Sequence, residues 1–184
     1  MPTSNPSGCE EQRSSHANLS HVNLKKANLK GAVLRSVDLG EADLSEANLK
    51  DTDFRRDTNQ SAVTKLKDAI LSAAELNRAH LDEVNLMNAQ LTGVDLRGAS
   101  LIGVNLHGAN LAGAIFEETT EGGLLYGVLL DKADLEDADL TGTFPERAMS
   151  LKETRMFGAI GLTDEQVQKC KAMGAVFDLT NRLD

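Results

Sequence analysis

The sequence predicts an all-β solenoid in which the chain bends by about a right angle every five residues. Three observations support this prediction. From Ala17 to Gly142 the chain divides into 23 units of five residues, with two short interruptions. Leucine occupies the central position of 21 units, and the other two carry phenylalanine there. A small residue (Ala, Val, Thr or Gly) stands two places before the central residue in every unit.

A five-residue period excludes the two regular elements. On an α-helix, successive leucines would rotate by about 140° and form no stripe. On a flat strand, an odd period sends successive leucines to opposite faces. Four right-angle bends instead close a square coil of about twenty residues, with every central residue on one axis and the small residue near a corner. The core residues predicted in this way include Leu86, Leu96, Leu106, Phe54 and Phe116.

The corners of the coil follow each central residue. Glycine recurs two residues after the leucine in five successive units, at Gly93, Gly98, Gly103, Gly108 and Gly113. A type II turn needs a positive φ at this place, which glycine adopts without strain. Lys26, Glu41 and Arg56 occupy the same place in other units, so we expect a second type of corner there.

Several units match the pattern A(D/N)LXX literally: ANLSH, ANLKG, ADLSE, ANLKD, ANLAG, ADLED and ADLTG. The sequence therefore resembles the pentapeptide-repeat family over residues 17–142. The resemblance implies a right-handed quadrilateral β-helix, which agrees with the square coil. It also implies a source among cyanobacteria or plastids, where such repeats are abundant. Family membership is a poor guide to function, because this repeat is a scaffold for different activities.

The chain divides into three parts. Residues 1–16 are a polar segment, residues 17–143 form the β-helix, and residues 144–184 form a helical cap and tail over the last coil. The repeat is interrupted near 55–63 and 117–122, and the first interruption is either a tolerated insertion or a partner-binding loop. Thr163 as N-cap, Gln166 three residues later and Gly174 as C-cap predict a short helix. A second helix is expected between Ala148 and Gly158.

Compartment is left open by the sequence. No apolar run is long enough to span a bilayer, and residues 1–16 contain no signal peptide. The chain as given is expected to be soluble and cytoplasmic, or to reside in the thylakoid lumen or periplasm if a signal peptide has been removed. Cys9 and Cys170 fit either one disulfide or two unrelated thiols.

No catalytic chemistry is expected. The sequence contains no HExxH, GxSxG, GxGxxG or P-loop motif, and its four histidines have no spacing that suits a metal or a triad. We therefore expect neither a metal nor a cofactor, and the chain is predicted not to be an enzyme.

The charge distribution is uneven along the chain. The protein has a net charge of −9, whereas the segment 117–140 alone holds eight acidic residues and one lysine, a net charge of −7. Stacking at about twenty residues places Lys30 beside Lys50 and Arg35 beside Arg55, giving two basic columns. The acids at the other end either bind a partner or only keep that end soluble. The candidate partner surface comprises Glu117, Glu118, Asp131, Asp134, Glu136, Asp137 and Asp139.

These features predict a non-catalytic protein-interaction scaffold with a basic protein partner. The overall negative charge argues against direct binding to nucleic acid. The alternative comes from the family resemblance, since some pentapeptide-repeat proteins mimic duplex DNA and bind gyrase. The chain is expected to be a monomer, or a weak dimer that associates through one end.

Overall fold

The computed structural model describes residues 17–58, 62–116 and 125–177, which form a coil with four sides. Each side pairs with the same side of the next coil through a parallel bridge. Sides one, two, three and four are those that carry Asn18, Asn23, Asn28 and Val33 in the first coil. Four bridges join the first two coils: Asn18 to Asp38, Asn23 to Asp43, Asn28 to Asn48 and Val33 to Asp53.

Bridge offsets show where the repeat is interrupted. Bridged residues are 20 apart between regular coils, 27 apart between the second and third coils, 24 apart between the fifth and sixth, and 21 apart between the sixth and seventh. The described parts of successive coils are coil 1 (17–36), coil 2 (37–58 and 62–63), coil 3 (64–83), coil 4 (84–103), coil 5 (104–116 and 125–127), coil 6 (128–148) and coil 7 (149–174).

The first interruption leaves the coil between sides four and one. The hydroxyl of Ser36 holds both described ends of this loop, because it donates to the carbonyl of Ala62 (2.9 Å) and accepts the N–H of Asp57 (3.0 Å). Residues 59–61 lie outside the described part of the chain. The inserted residues therefore leave the stacking of coils 2 and 3 intact.

One corner conformation serves both glycine and non-glycine residues. The carbonyl of Leu24 accepts the N–H of Ala27 (2.9 Å), and Lys26 between them has a φ of +59°. Glu41 has +57° and Gly93 +64°, so the expected second corner type is wrong for Lys26 and Glu41. Stacking imposes this conformation, because the N–H of Lys26 must also reach the carbonyl of Ser45 in the next coil (2.9 Å). Arg56 differs, because the chain leaves the coil there, and it has no positive φ.

Asparagine and aspartate before the central residue close a local turn. In 13 units this side chain is Asn or Asp, and in each of them its Oδ1 accepts the backbone N–H two residues later at 2.9–3.3 Å. This Asx turn satisfies an N–H that points away from the neighbouring coils. The A(D/N)L pattern thus records a backbone requirement rather than a site.

The central residues fill the axis of the coil. Phe54 and Phe116 are fully buried, and Leu86, Leu96 and Leu106 are at most 2% exposed. The central leucines of coil 1 are only partly buried, because the described residues place no further coil on its outer side: Leu19, Leu24, Leu29 and Leu34.

The coil continues past residue 143, the end expected from the sequence. Ser150, Arg155 and Ile160 of coil 7 pair with Leu129, Asp134 and Asp139 of coil 6. The predicted second helix between Ala148 and Gly158 is therefore wrong. Units of this coil keep Leu151 and Met156 as buried central residues but lack the Ala-Asn-Leu signature, which hid them in the sequence.

Coil 7 contains α1 (Asp164–Ala172), which confirms the helix predicted from Thr163 and Gln166. After this helix, Val176 pairs with Arg155. A 3₁₀ helix, Pro145–Arg147, precedes it on side four of coil 6. Thr163 and Gln166 form a capping box, and Nε2 of Gln166 donates to the carbonyl of Thr143 (2.9 Å). No helix in the described parts of the chain is long and apolar enough to cross a membrane.

Cys170 of α1 is fully buried against the core. Burial raises the pKa of this thiol to about 11, so it stays protonated and unreactive near neutral pH. Cys9 lies outside the described residues, and so does its relation to Cys170.

Candidate partner-binding surfaces

The acids singled out in the sequence are distributed around coil 6. Asp131 follows the central residue on side one, whereas Asp139 lies on side three. The structure brings only Asp134, Glu136 and Asp137 together, on side two and the corner that ends it. Glu117 and Glu118 lie outside the described residues. The coil therefore converts a continuous acidic stretch of sequence into a partial ring.

Arg155 of coil 7 neutralises part of this ring. Its guanidinium donates to Asp134 (2.8 Å) and to Glu136 (2.6 Å). Asp139 accepts hydrogen bonds from the hydroxyl and N–H of Thr141, which lower its pKa. Asp131 accepts the N–H of Lys152 (3.0 Å). These hydrogen bonds hold the four carboxylates in fixed positions.

The two basic columns lie where the sequence placed them, near the N-terminal end. Bridges from Asn28 to Asn48 and from Val33 to Asp53 set Lys30 beside Lys50 on side three and Arg35 beside Arg55 on side four.

Asp53 lies between the two arginines of its column. It accepts hydrogen bonds from Arg35 (2.5 and 2.7 Å) and from Arg55 (2.9 and 3.0 Å). Burial alone would raise the pKa of Asp53, but these hydrogen bonds outweigh it and hold the pKa well below its usual range. The arginine column therefore contains its own acidic partner.

Ion pairs join coils 1, 2 and 3 along the axis of the rod. Glu46 in coil 2 accepts both Lys25 (3.5 Å) and Lys26 (3.3 Å) of coil 1. Arg78 of coil 3 pairs with Asp51 of coil 2 (2.7 Å). Most charges at this end are therefore engaged with a neighbouring coil. Further pairs between the described parts of these coils are Lys50 with Glu75, Arg56 with Glu83, and Lys65 with Asp38.

A shallow depression of about 580 Å³ lies on side three, lined by Lys50, Glu75, Asn77, Arg78, Asp95, Arg97 and Gly98. Its charges are paired: Lys50 lies 3.1 Å from Glu75, and Arg97 lies 2.6 Å from Asp95. The hydrogen bond from Arg97 lowers the pKa of Asp95 to about 2. With this pKa, Asp95 remains ionised near neutral pH and is not poised for proton transfer.

Within residues 17–58, 62–116 and 125–177, no group of three or more His, Cys, Asp or Glu side chains could hold a metal ion.

Exposed apolar residues were missed by the sequence reasoning. Ile102 is 53% exposed and Tyr126 is 60% exposed, and both stand directly after a central leucine. Met149, at the start of coil 7, is 69% exposed. For Ile102 and Tyr126, the signal available in the sequence was an apolar residue directly after the central leucine. Other coils carry Arg35, Arg55 or Asp82 at this outward position.

Comparison with known proteins places these observations in context. A family model described as pentapeptide repeats matches eight copies within residues 15–56, 64–98 and 89–120, more than half of the chain. Members of this family form right-handed quadrilateral β-helices, as the four-sided coil here does. A search of curated proteins found no match.

Similar solved structures include HetL, a pentapeptide-repeat protein involved in heterocyst differentiation regulation in the cyanobacterium Nostoc sp. strain PCC 7120. It is 32% identical, with 77% of this chain and 69% of that chain covered and a TM-score of 0.39. A thylakoid-lumen protein of Arabidopsis thaliana is 22% identical over 80% and 83%, with a TM-score of 0.30. QnrB1, a plasmid-mediated fluoroquinolone resistance protein, is 17% identical over 89% and 92%, with a TM-score of 0.31. These TM-scores are too low to add to the family match.

Proposed function

We propose that this chain, which belongs to the pentapeptide-repeat family, is a non-catalytic scaffold that presents outward side chains to a basic protein partner. The observation that carries this proposal is that the positions of each five-residue unit have different structural roles. Inward positions fill the core, the Asn or Asp position closes a turn, and stacking satisfies the backbone. The remaining outward positions have none of these structural roles, and their residues vary from coil to coil.

The charge of coil 6 supports a basic partner. Its residues 128–148 include six acidic and two basic side chains, a net charge of −4. The hydrogen bonds that hold Asp131, Asp134 and Asp139 fix these charges on a rigid frame. A fixed acidic ring favours a cationic partner chiefly by accelerating encounter, and this effect weakens with salt.

A DNA mimic is less well supported by the charge distribution. Two coils span about 10 Å, over which duplex DNA carries about six negative charges. Residues 84–116 span most of coils 4 and 5, and they contain one aspartate and one arginine. The middle of the rod therefore lacks the continuous negative charge of a duplex. A DNA-gyrase supercoiling assay with the purified protein separates the two functions: we expect unchanged supercoiling, whereas inhibition would favour the mimic.

The acidic ring is tested by charge removal that keeps the turns. A partner is captured by pull-down, and Asp134, Glu136, Asp137 and Asp139 are replaced with Asn or Gln. Asn retains the Oδ1 acceptor of the Asx turn, so the coil is preserved. We expect weaker binding and a weaker dependence on salt.

The matched control removes four acids elsewhere, with Glu41, Glu46, Glu75 and Glu165 replaced by Gln. These side chains are exposed, and three of them lie in the N-terminal coils or coil 3. We expect this control to bind as the wild type does. Binding that is unchanged in the coil 6 variant, at low and at high salt, would place the interface elsewhere.

A further inference from the structure

Ile102, Tyr126 and Arg147 form one outward row on side four, on coils 4, 5 and 6. The N–H of Gly103 donates to the carbonyl of Tyr126 (3.4 Å), and the N–H of Gly127 donates to the carbonyl of Arg147 (3.2 Å). These bonds stack the residue before each glycine on its counterpart in the next coil. We call this row the side-four ridge.

The side-four ridge is accessible along its length. Ile102 and Tyr126 expose more than half of their surface, and Arg147 is exposed as well. Gly103 and Gly127 follow the first two at the corner, so no corner side chain stands beside them. The guanidinium of Arg147 lies over the ring of Phe144, 4.5 Å from its centroid, which limits its rotamers.

The fold does not require apolar residues in this row. Arg35, Arg55 and Asp82 occupy the same position in coils 1, 2 and 3 without disturbing the stacking. Exposing Ile102 and Tyr126 to water instead forgoes favourable burial. Tyrosine and arginine are the residue types that most often dominate binding energy at protein interfaces. Tyr126 is also the single tyrosine of a chain that has no tryptophan.

Acidic side chains lie at both ends of the side-four ridge. Asp82 and Glu83 precede it in coil 3, and Asp82 accepts the N–H of Ile102 (3.1 Å). Glu146 lies next to Arg147, and Asp131 occupies the adjoining side one of coil 6. A partner that covers the apolar centre therefore meets a carboxylate on either side of it, at Asp82 and at Glu146. Glu83 is already paired with Arg56 (3.6 Å), and Arg147 is a cation of the ridge itself.

We propose that the side-four ridge anchors a basic protein segment in which an apolar side chain is flanked by lysine or arginine. The inference rests on the proposed scaffold function and names the anchor of its partner. The apolar side chain covers Ile102 and Tyr126, and the flanking cations lie near Asp82 and Glu146.

Tyrosine fluorescence provides a direct test, because Tyr126 is the single tyrosine of a chain without tryptophan and can be excited at wavelengths that phenylalanine does not absorb. The probe is a 14-residue helical peptide of leucine and lysine without aromatic residues; a leucine–glutamate peptide and oligolysine serve as comparisons. We expect the leucine–lysine peptide to change Tyr126 emission saturably, the leucine–glutamate peptide to have no effect, and oligolysine to bind more weakly. Unchanged emission with the leucine–lysine peptide would overturn the proposal.

Variants locate the binding, measured by titration calorimetry. Tyr126→Ser and Ile102→Ser should each weaken binding of the leucine–lysine peptide by about tenfold. Ile160→Ser is the matched control, because Ile160 is 59% exposed but lies on side three of coil 7. We expect this control to bind like the wild type.

The outcomes separate this inference from the function on which it rests. If a captured partner binds Tyr126→Ser unchanged but loses affinity for the coil 6 acid variant, the side-four ridge is refuted and the scaffold function stands. Sedimentation tests a second copy as the occupant. A wild-type dimer that becomes monomeric in Tyr126→Ser would assign the ridge to self-association and overturn the proposal.

Discussion

Coils 1 and 2 build the same square as coil 4 from different residues. Corners of the first two coils carry charged or polar side chains with φ between +53° and +60°, except at Gly31 and at Arg56, where the chain leaves the coil and φ is not positive. From Gly93 to Gly113 every corner is glycine, with φ between +64° and +68°. The charged corners are linked to the neighbouring coil by ion pairs such as Lys26 with Glu46 (3.3 Å).

This difference shows that stacking, rather than the residue, sets the corner conformation. A non-glycine residue in the left-handed region costs about 1 kcal/mol. An exposed ion pair returns at most about 1 kcal/mol. Outward chemistry is thus free to vary at small cost, which is the property that a scaffold needs. The N-terminal coils use that freedom for axial ion pairs, whereas coils 4 and 5 leave their outer surface nearly uncharged.

The largest effect expected from this comparison lies in the core. Leu96 in coil 4 is 2% exposed, whereas Leu24 in coil 1 is only partly buried. Leu96→Ala should destabilise the protein by about 2–5 kcal/mol, and Leu24→Ala by roughly 1–2 kcal/mol. Urea denaturation of the two variants checks the order. Equal losses would mean that coil 1 is covered in solution.

Asp53→Asn should have the next largest effect. The amide keeps the Asx turn but cannot accept both guanidiniums as strongly, so we expect a loss of about 1–3 kcal/mol near neutral pH. Because the folded-state pKa of Asp53 is lowered, its contribution is complete above the unfolded value of about 4 and is lost as the pH falls toward the folded value. Denaturation at several pH values should therefore show a flatter acid limb in the variant. If the stability of the variant fell with decreasing pH as steeply as that of the wild type, the ion pairs of Asp53 would not be a source of stability.

A smaller pair of effects isolates the corner. Ala73 and Gly93 occupy the corner after side two in coils 3 and 4, with φ of +56° and +64°. A Cβ at Gly93 would meet no atom within 4 Å, so Gly93→Ala tests conformation alone. We expect Gly93→Ala to destabilise by about 1 kcal/mol and Ala73→Gly to stabilise by a similar amount. Thermal denaturation checks both variants. Stability changes of the same sign in the two variants would contradict the conclusion that both corners share one conformation.

The smallest effect should come from a single axial ion pair. Lys26→Ala removes one exposed partner of Glu46 and should cost less than about 0.5 kcal/mol at low salt. High salt should reduce that difference further. A loss above about 1 kcal/mol would show that the ion pairs between coils, rather than the core, hold coil 1 in place.

The five-residue period was sufficient to predict the core, the four sides and the basic columns. It is insufficient at the corners, because the backbone conformation of Lys26 is imposed by stacking on the next coil, which the period alone does not reveal. The period does not predict coil 7, because Ser150 and Arg155 lack the local signature and pair with residues 21 positions earlier rather than 20. Acids adjacent in sequence, such as Asp137 and Asp139, were grouped together, although a corner separates their sides.

Outward residues were the least predictable part of the molecule. Ile102 and Tyr126 stand 24 positions apart with an interruption between them, so their adjacency depends on how many residues that interruption adds to the coil. The repeat constrains inward residues only. A site built from outward residues therefore becomes visible only once the coils are aligned in three dimensions.

The central claim is that one backbone conformation underlies charged and glycine corners alike, leaving the outward chemistry free. A crystal structure resolved well enough to fix backbone dihedral angles tests it most directly. The account predicts φ near +60° at Lys26, Glu46 and Ala73, as at Gly93 and Gly113. A negative φ at the non-glycine corners, with the bridges between coils intact, would contradict it and restore a second corner type.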